Sequence, residues 1–138
     1  VLGHENCNGW AGESAENTLE LIETVDSPAL KLIFDTGNTV HHGQDSMDFY
    51  TKVREHVEHI HIKDAKHTDD GMVHTFPGEG EGKVREVIDD LNASDFQGGV
   101  SIEPHVQAVV HLDKEADDEQ ALYDSYIKYG TMLMELAK

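Results

Sequence analysis

The sequence predicts an α/β fold in which short parallel strands alternate with helices on the outside of the sheet. Four brief apolar runs, typical of buried strands, lie at residues 1–5, 30–35, 57–64 and 99–103. Between and after these runs, apolar residues recur at helical spacing. The resulting order is β-α-β-α-β-α-β-α. Because such strands are joined by βαβ crossovers, we expect consecutive strands to be parallel.

Each helix is predicted from a periodic apolar stripe. In the first helix, Leu19, Ile22 and Val25 form the stripe, Ser14 is the predicted N-cap and Pro28 marks the stop. The other stripes are Met47, Tyr50, Val53 and Val57; Val84, Val87, Ile88 and Leu91; and Leu122, Tyr126, Tyr129, Leu133 and Leu136.

Composition excludes several classes of partner. The 138 residues include 10 Lys and Arg against 28 Asp and Glu, a formal net charge of −18. Nucleic-acid binding by counterion release needs a basic surface, as does adhesion to an anionic membrane, so we expect neither partner. No apolar run approaches the roughly 20 residues of a membrane span. Cys7 is the only cysteine, which excludes an intrachain disulfide and favours a cytoplasmic location.

Residues able to bind a metal lie where the predicted strands end. Glu5 closes the first strand, Asp35 the second and Glu103 the fourth, and His61 lies within the third. Because parallel strands end at one edge of a sheet, these side chains are expected to converge. Three carboxylates and one imidazole suit Mn²⁺, Mg²⁺ or Co²⁺, with Zn²⁺ possible. Spacing alone leaves open an ordinary set of solvated carboxylates with one hydrogen-bonded histidine.

Four local motifs occur in order. They are Phe-Asp-Thr-Gly-Asn at 34–38, His-Ile-His-Ile-Lys-Asp at 59–64, Pro-Gly-Glu-Gly at 77–80 and Ser-Ile-Glu-Pro-His at 101–105. Together they resemble the xylose isomerase-like superfamily of sugar isomerases and epimerases. The resemblance covers nearly the whole chain. It implies four βα units of a TIM-type (β/α) barrel, equivalent to the second half of the barrel.

The resemblance also implies roles for the strand-end residues. Glu5, Asp35, His61 and Glu103 match the metal ligands of the family, and Glu5 and Glu103 match its catalytic acid and base. In such enzymes one carboxylate removes a proton next to a carbonyl, the metal stabilises the enediolate, and the other carboxylate returns a proton. The implied function is therefore a divalent-metal-dependent sugar or sugar-phosphate isomerase or epimerase, or a closely related lyase.

Four further residues are candidates for substrate binding. Asn38 stands where many members of the family have a histidine that contacts the sugar, and it can still hydrogen-bond a hydroxyl. Lys63 and His105 follow predicted ligands by two residues, although Lys63 could instead form a surface ion pair. Trp10 could stack on a sugar face or could be a partly exposed loop residue.

Two departures from the family pattern argue against a phosphodiesterase of the endonuclease IV type. Asn38 replaces a histidine that binds a second metal in those enzymes, and Met72 stands where they have a carboxylate ligand. The acidic net charge argues in the same direction.

Residues 1–138 are expected to form a single half-barrel domain. A complete barrel typically needs about 250 residues. Four strands in an open arc would leave an apolar inner face and two free edges exposed. We therefore expect a homodimer or pairing with a separate first barrel half, the chain being a fragment or one half of an assembled barrel. The alternative function is a catalytically incomplete metal-binding or oligomeric scaffold module.

Overall fold

The computed structural model describes residues 1–106 and 119–138. Its strands are β1 (Leu2–Glu5), β2 (Leu30–Asp35), β3 (Val57–Ile62), β4 (Asp64–Thr68), β5 (Gly71–Thr75) and β6 (Gly99–Ile102). Its α-helices are α1 (Ala15–Val25), α2 (Thr36–His41), α3 (Ser46–Val53), α4 (Val84–Ala93) and α5 (Glu119–Leu136). A 3₁₀ turn at Arg54–His56 precedes β3.

The main sheet confirms the predicted α/β class. Its four strands are parallel, in the order β1-β2-β3-β6. Asp35 is in register with His61, and His61 with Ser101. The carboxyl ends of the strands therefore lie at one rim, as the alternation of strands and helices predicts.

The side of the sheet that faces the helices is the apolar core. Leu32 and Phe34 of β2 and Ile60 and Ile62 of β3 are all buried. They belong to one cluster with helix residues such as Tyr50, Val87, Ile88 and Tyr129. Since alternate strand residues point to opposite faces, this packing directs the intervening residues to the inner face of the arc.

The predicted apolar character of that inner face is wrong. Below the strand ends it carries Gly3, Ile33, His59 and Ser101, of which only Ile33 is a large apolar residue. His59 Nε2 and Ser101 Oγ share a hydrogen bond of 2.9 Å. Exposed large apolar side chains include Leu2 and Val100 on the outermost strands of the sheet, and Tyr123, Ile127 and Met134 on α5. Assembly as a homodimer, or pairing with a separate first barrel half, stays a prediction.

The predicted helices form, with local differences. Ser14 caps α1, its Oγ accepting a hydrogen bond from the Asn17 amide, but the helix ends at a left-handed Asp26 before Pro28 is reached. On α5 the buried stripe includes Ser125, whereas Tyr126 is exposed, so that part of the predicted stripe is wrong. The sequence analysis missed α2 and the antiparallel β4–β5 hairpin, and it placed the end of β3 two residues too late.

Candidate active site

Four predicted ligands meet at the carboxyl rim of the sheet. One ligand atom from each of Glu5, Asp35, His61 and Glu103 lies within 4.8 Å of all the others. His61 Nδ1 is central, 3.2 Å from Glu5 Oε1 and 3.3 Å from Glu103 Oε2. Glu5 ends the first strand of the arc, and Glu103 follows the last. The two carboxylates therefore approach the cluster from opposite ends of the sheet.

The two carboxylate oxygens of Asp35 make different contacts, which together fix the side chain. Its Oδ1 accepts hydrogen bonds from the amides of Gly37 at 2.8 Å and Asn38 at 2.7 Å, which caps α2. Its Oδ2 faces Lys63 Nζ at 3.0 Å as an ion pair, although not in hydrogen-bond geometry. Buried Asn6 bonds both the amide and the carbonyl of Asp35, a support that the sequence analysis missed.

Lys63 is buried among the carboxylates and is not a surface residue. Its Nζ lies 3.3 Å from Glu103 Oε2 in addition to its contact with Asp35. Gly37 makes room for this side chain, since a Cβ at that position would come within 2.7 Å of Lys63 Cγ. The alternative that Lys63 forms a surface ion pair is therefore wrong, because its side chain is buried.

The electrostatics of the cluster fit a site for a cation. Burial raises the pKa of Asp35 to about 7, although Lys63 opposes this shift. Hydrogen bonds from His105 and His61 hold the pKa of Glu103 well below its usual range. Hydrogen bonds to Glu103 and Glu5 raise the pKa of His61 to about 9. Protonated His61 and Lys63 thus balance the carboxylates, a role that a bound divalent cation would share.

The donor set also fits a hard divalent ion. Three carboxylates and one imidazole are ligands that Mn²⁺, Mg²⁺ and Co²⁺ accept, and Zn²⁺ tolerates. Two of these carboxylates are held by groups outside the ligand set: the amides of Gly37 and Asn38 donate to Asp35, and Asn38 Nδ2 donates to Glu5 Oε1 at 3.3 Å. Such outer contacts orient ligands before an ion binds.

A cavity of about 370 Å³ opens beside the cluster. Three of the four predicted substrate-binding residues line it, namely Asn38, Lys63 and His105. Trp10 is not among the described lining residues; its side chain is on the surface, 53% exposed. The β4–β5 hairpin adds Met72 and His74 to the wall, neither of which the sequence analysis proposed as substrate-binding.

Buried Asp64 fixes the hairpin and the following glycine-rich loop. Its carboxylate accepts hydrogen bonds of 2.8–3.0 Å from the amides of Ala65, Gly78, Gly80 and Gly82. A Cβ at Gly80 or Gly82 would run into Asp64, which explains the glycines. The amides of this loop therefore bind the Asp64 carboxylate within the protein, so the loop is a turn and not a phosphate-binding site.

Parallel strands, outer helices and a cluster of carboxylates with one histidine at the carboxyl rim are features of the (β/α)-barrel class. The sequence profile described as "Xylose isomerase-like TIM barrel" matches residues 1–126. The chain belongs to the xylose isomerase-like TIM barrel family.

Similar proteins agree with this assignment. An inosose dehydratase of Bacillus thuringiensis (strain Al Hakam) is 28% identical over 110 residues, covering 67% of this chain and 37% of the relative. The crystal structure of a xylose isomerase domain protein from Planctomyces limnophilus has a TM-score of 0.63 at 25% identity, covering 94% of this chain and 43% of the other. A xylose isomerase-like TIM barrel protein from Mycobacterium smegmatis, solved in complex with magnesium, gives 0.70 at 17% identity, covering 99% and 45%.

The chain thus spans less than half the length of these similar proteins. In the described parts of the chain, no helix has both the length and the apolar character needed to cross a bilayer.

Proposed function

We propose that this chain carries the metal-binding and proton-transferring rim of a divalent-metal-dependent sugar or sugar-phosphate isomerase or epimerase. The observation that carries the proposal is the convergence of Glu5 and Glu103 on His61 Nδ1 from opposite ends of the sheet. Two carboxylates placed around one bound sugar can remove a proton at one carbon and return it at another.

Glu5, Asp35, His61 and Glu103 would hold the cation. When bound, it would supply Lewis-acid stabilisation of the negative charge that develops on the substrate oxygens. Glu103 accepts hydrogen bonds from His105 and His61, which hold the carboxylate in the ionised form that a proton acceptor needs. Asn38 orients Glu5 through its hydrogen bond, which prepares the second carboxylate for proton return.

A dehydratase is the second candidate, because inosose dehydratases are among the relatives of this chain. Removal of a proton next to a carbonyl is common to both reactions. In a dehydratase the neighbouring hydroxyl then leaves as water, whereas in an isomerase or epimerase a proton returns. The same carboxylate pair can serve either outcome.

Isotope exchange separates these functions. The chain, loaded with Mg²⁺, Mn²⁺ or Co²⁺, is incubated in D₂O with ketoses, ketose phosphates and inosose, and products are followed by mass spectrometry. We expect deuterium on carbon next to the carbonyl, with loss of water only in the case of a dehydratase. Chelation of the metal by EDTA should stop the exchange. Metal binding without any exchange would contradict the proposal and favour the scaffold alternative.

Metal binding itself should depend on pH. A proton must leave His61 before the imidazole can bind a cation, and the pKa of His61 is about 9. From about pH 7 to about pH 9, the apparent affinity for Mg²⁺ or Mn²⁺ should therefore rise by up to about tenfold per pH unit. Below about pH 7, protonation of Asp35 should add to the loss. Isothermal titration calorimetry measures both affinity and proton release.

Two variants complete the metal-binding test. Asp35→Asn should weaken binding strongly, because it removes a fixed, buried ligand. Glu135→Gln changes an exposed glutamate on α5 and should leave binding unchanged. A pH-independent affinity, or equal loss in both variants, would place the ion elsewhere.

A further inference from the structure

The main sheet has two open edges. In the described part of the chain, β1 pairs only with β2 and β6 pairs only with β3. Leu2 on β1 is 71% exposed, and Val100 on β6 is 44% exposed. Leu2 is in register with Leu30, and Val100 with buried Ile60, so both side chains point to the side of the sheet that carries the helices. Each edge therefore presents an uncovered apolar side chain beside an unpaired strand.

Helix α5 carries an apolar stripe next to its buried side. The helix packs on β6, since a Cβ at Gly130 would lie 3.8 Å from Ile102 Cδ1. The stripe has the helical spacing i, i+4, i+7, i+11 and consists of Tyr123, Ile127, Gly130 and Met134. Its three large side chains are between 55% and 67% exposed. The next stripe round the helix is polar and consists of Asp124, Lys128, Thr131 and Glu135. The exposed apolar surface of α5 is therefore confined to one side.

Helix α1 has an apolar side at the other edge of the sheet. Lys52 on α3 pairs with Glu16 at 2.9 Å, which identifies the side of α1 that faces α3. Val25 follows Glu16 by about two and a half helical turns and so lies on the opposite side, where it is 48% exposed. Leu21, one turn earlier, is partly buried on the same side. Because α3 lies over the inner strands of the sheet, this side of α1 faces the open edge of β1.

The two edges complement each other. Strands β1 and β6 have four residues each and run in the same direction, so β6 of one copy can pair in parallel with β1 of another. In a right-handed crossover, a helix packs between its own strand and the next, which places α5 of one copy beside α1 of the other. A twofold axis parallel to the strands makes this contact twice and leaves neither edge open. The result is a ring of eight strands, a number whose interior side chains can fill.

Size and symmetry favour a second copy as the occupant of these edges. A stable dimer buries about 1,600 Å² in total, so each of two equivalent contacts needs about half of that area. Each contact would combine a strand edge with the side of an 18-residue helix that is about 27 Å long. The similar structures from Planctomyces limnophilus and Mycobacterium smegmatis match this chain over 43% and 45% of their own lengths. Two copies together therefore supply the strands of one complete barrel.

We propose that two copies of this chain associate about a twofold axis parallel to the strands, with β6 and α5 of each copy against β1 and α1 of the other. The assembly is a closed, eight-stranded parallel barrel. Because all eight strands run in one direction, the carboxyl rims of both copies lie at the same end. This inference does not rest on the proposed function, since none of the rim residues contributes to the argument.

The mass in solution tests the proposal. Sedimentation equilibrium is measured at chain concentrations from about 1 to about 100 µM. We expect a mass of two chains, twice 15.3 kDa, at the upper end of this range. The mass of one chain at about 100 µM would overturn the proposal and leave the edges to a different half-barrel. Masses above two chains would indicate open association instead of a closed pair and would also overturn it.

Charged substitutions locate the contact. Ile127→Lys on α5 and Val25→Lys on α1 should each raise the dissociation constant of the dimer about tenfold or more, because each places a charge in an apolar contact that occurs twice. Thr131→Lys adds the same side chain to the polar stripe of α5 and is the matched control, with an expected change of less than about twofold. All three positions are exposed, so far-UV circular dichroism should not change. A dimer that neither Ile127→Lys nor Val25→Lys weakens would use another surface, against the proposal.

Salt provides a second test of the apolar contact. Two copies that each carry a formal charge of −18 repel one another, and salt screens this repulsion. A rise in NaCl from about 0.05 M to about 0.5 M should therefore lower the dissociation constant of the dimer. Weaker association at high salt would show that ion pairs hold the copies together and would contradict the proposed interface.

Discussion

Glu103→Gln is expected to lower the rate of isotope exchange at least about 10³-fold, close to the limit of detection. The substitution keeps the size of the side chain but removes the negative charge that His61, Lys63 and His105 all contact. It therefore takes away a proton acceptor and weakens a predicted metal ligand in one step. The rate is measured as deuterium uptake per enzyme per unit time at saturating metal, so that loss of metal affinity does not explain the effect.

The control for this prediction is Glu135→Gln, which alters an exposed glutamate on α5 far from the rim in sequence and should keep full exchange. Far-UV circular dichroism of both variants should match the original chain, because Gln can fill the space of Glu103. Exchange that persists in the Glu103→Gln variant would show that this carboxylate transfers no proton.

Local patterns predicted the parallel sheet and the convergence of the rim residues. Each strand is a short apolar run, and parallel strands end at one edge, so Glu5, Asp35, His61 and Glu103 could be placed together without knowledge of long-range contacts. Their function as ligands and catalysts stays a prediction.

Elements that depend on tertiary contacts could not be predicted in the same way. Helix α2 has only six residues and contains Gly37 and the β-branched Thr36 and Thr39, all poor helix formers. It forms because Asp35 caps it and because Thr36 Oγ1 donates to the carbonyl of Lys63 at 2.6 Å. Neither contact follows from helix propensity.

The β4–β5 hairpin had a signal that was available in the sequence. Asp70-Gly71 is a turn dipeptide, and Gly71 adopts a φ of +117° that suits glycine. The flanking strands β4 and β5 lack a clear alternation of apolar and polar residues, so the apolar pattern did not predict them. The approach of His74 on β5 to His105 is a tertiary contact, which becomes visible only in the fold.

The stability of the rim should depend on Asp64 more than on any exposed acidic residue. Asp64→Ala is expected to lower the free energy of unfolding by about 2–4 kcal/mol. The reason is that the amides of Ala65, Gly80 and Gly82 lose their acceptor in a place with little access to water. Urea unfolding followed by circular dichroism measures the loss, and Asp89→Ala, an exposed site on α4, should change stability by less than about 0.5 kcal/mol.

A graded series separates hydrogen bonding from packing at this position. Burial raises the pKa of Asp64, and hydrogen bonds from the four amides oppose that shift. Burial of the carboxylate therefore costs free energy, which these hydrogen bonds offset. Asp64→Asn keeps the volume but leaves one oxygen for two of the four amides and directs N–H groups at the other two. Its loss of stability should fall between those of the original chain and Asp64→Ala. Equal stability of all three proteins would mean that the loop is held by other contacts.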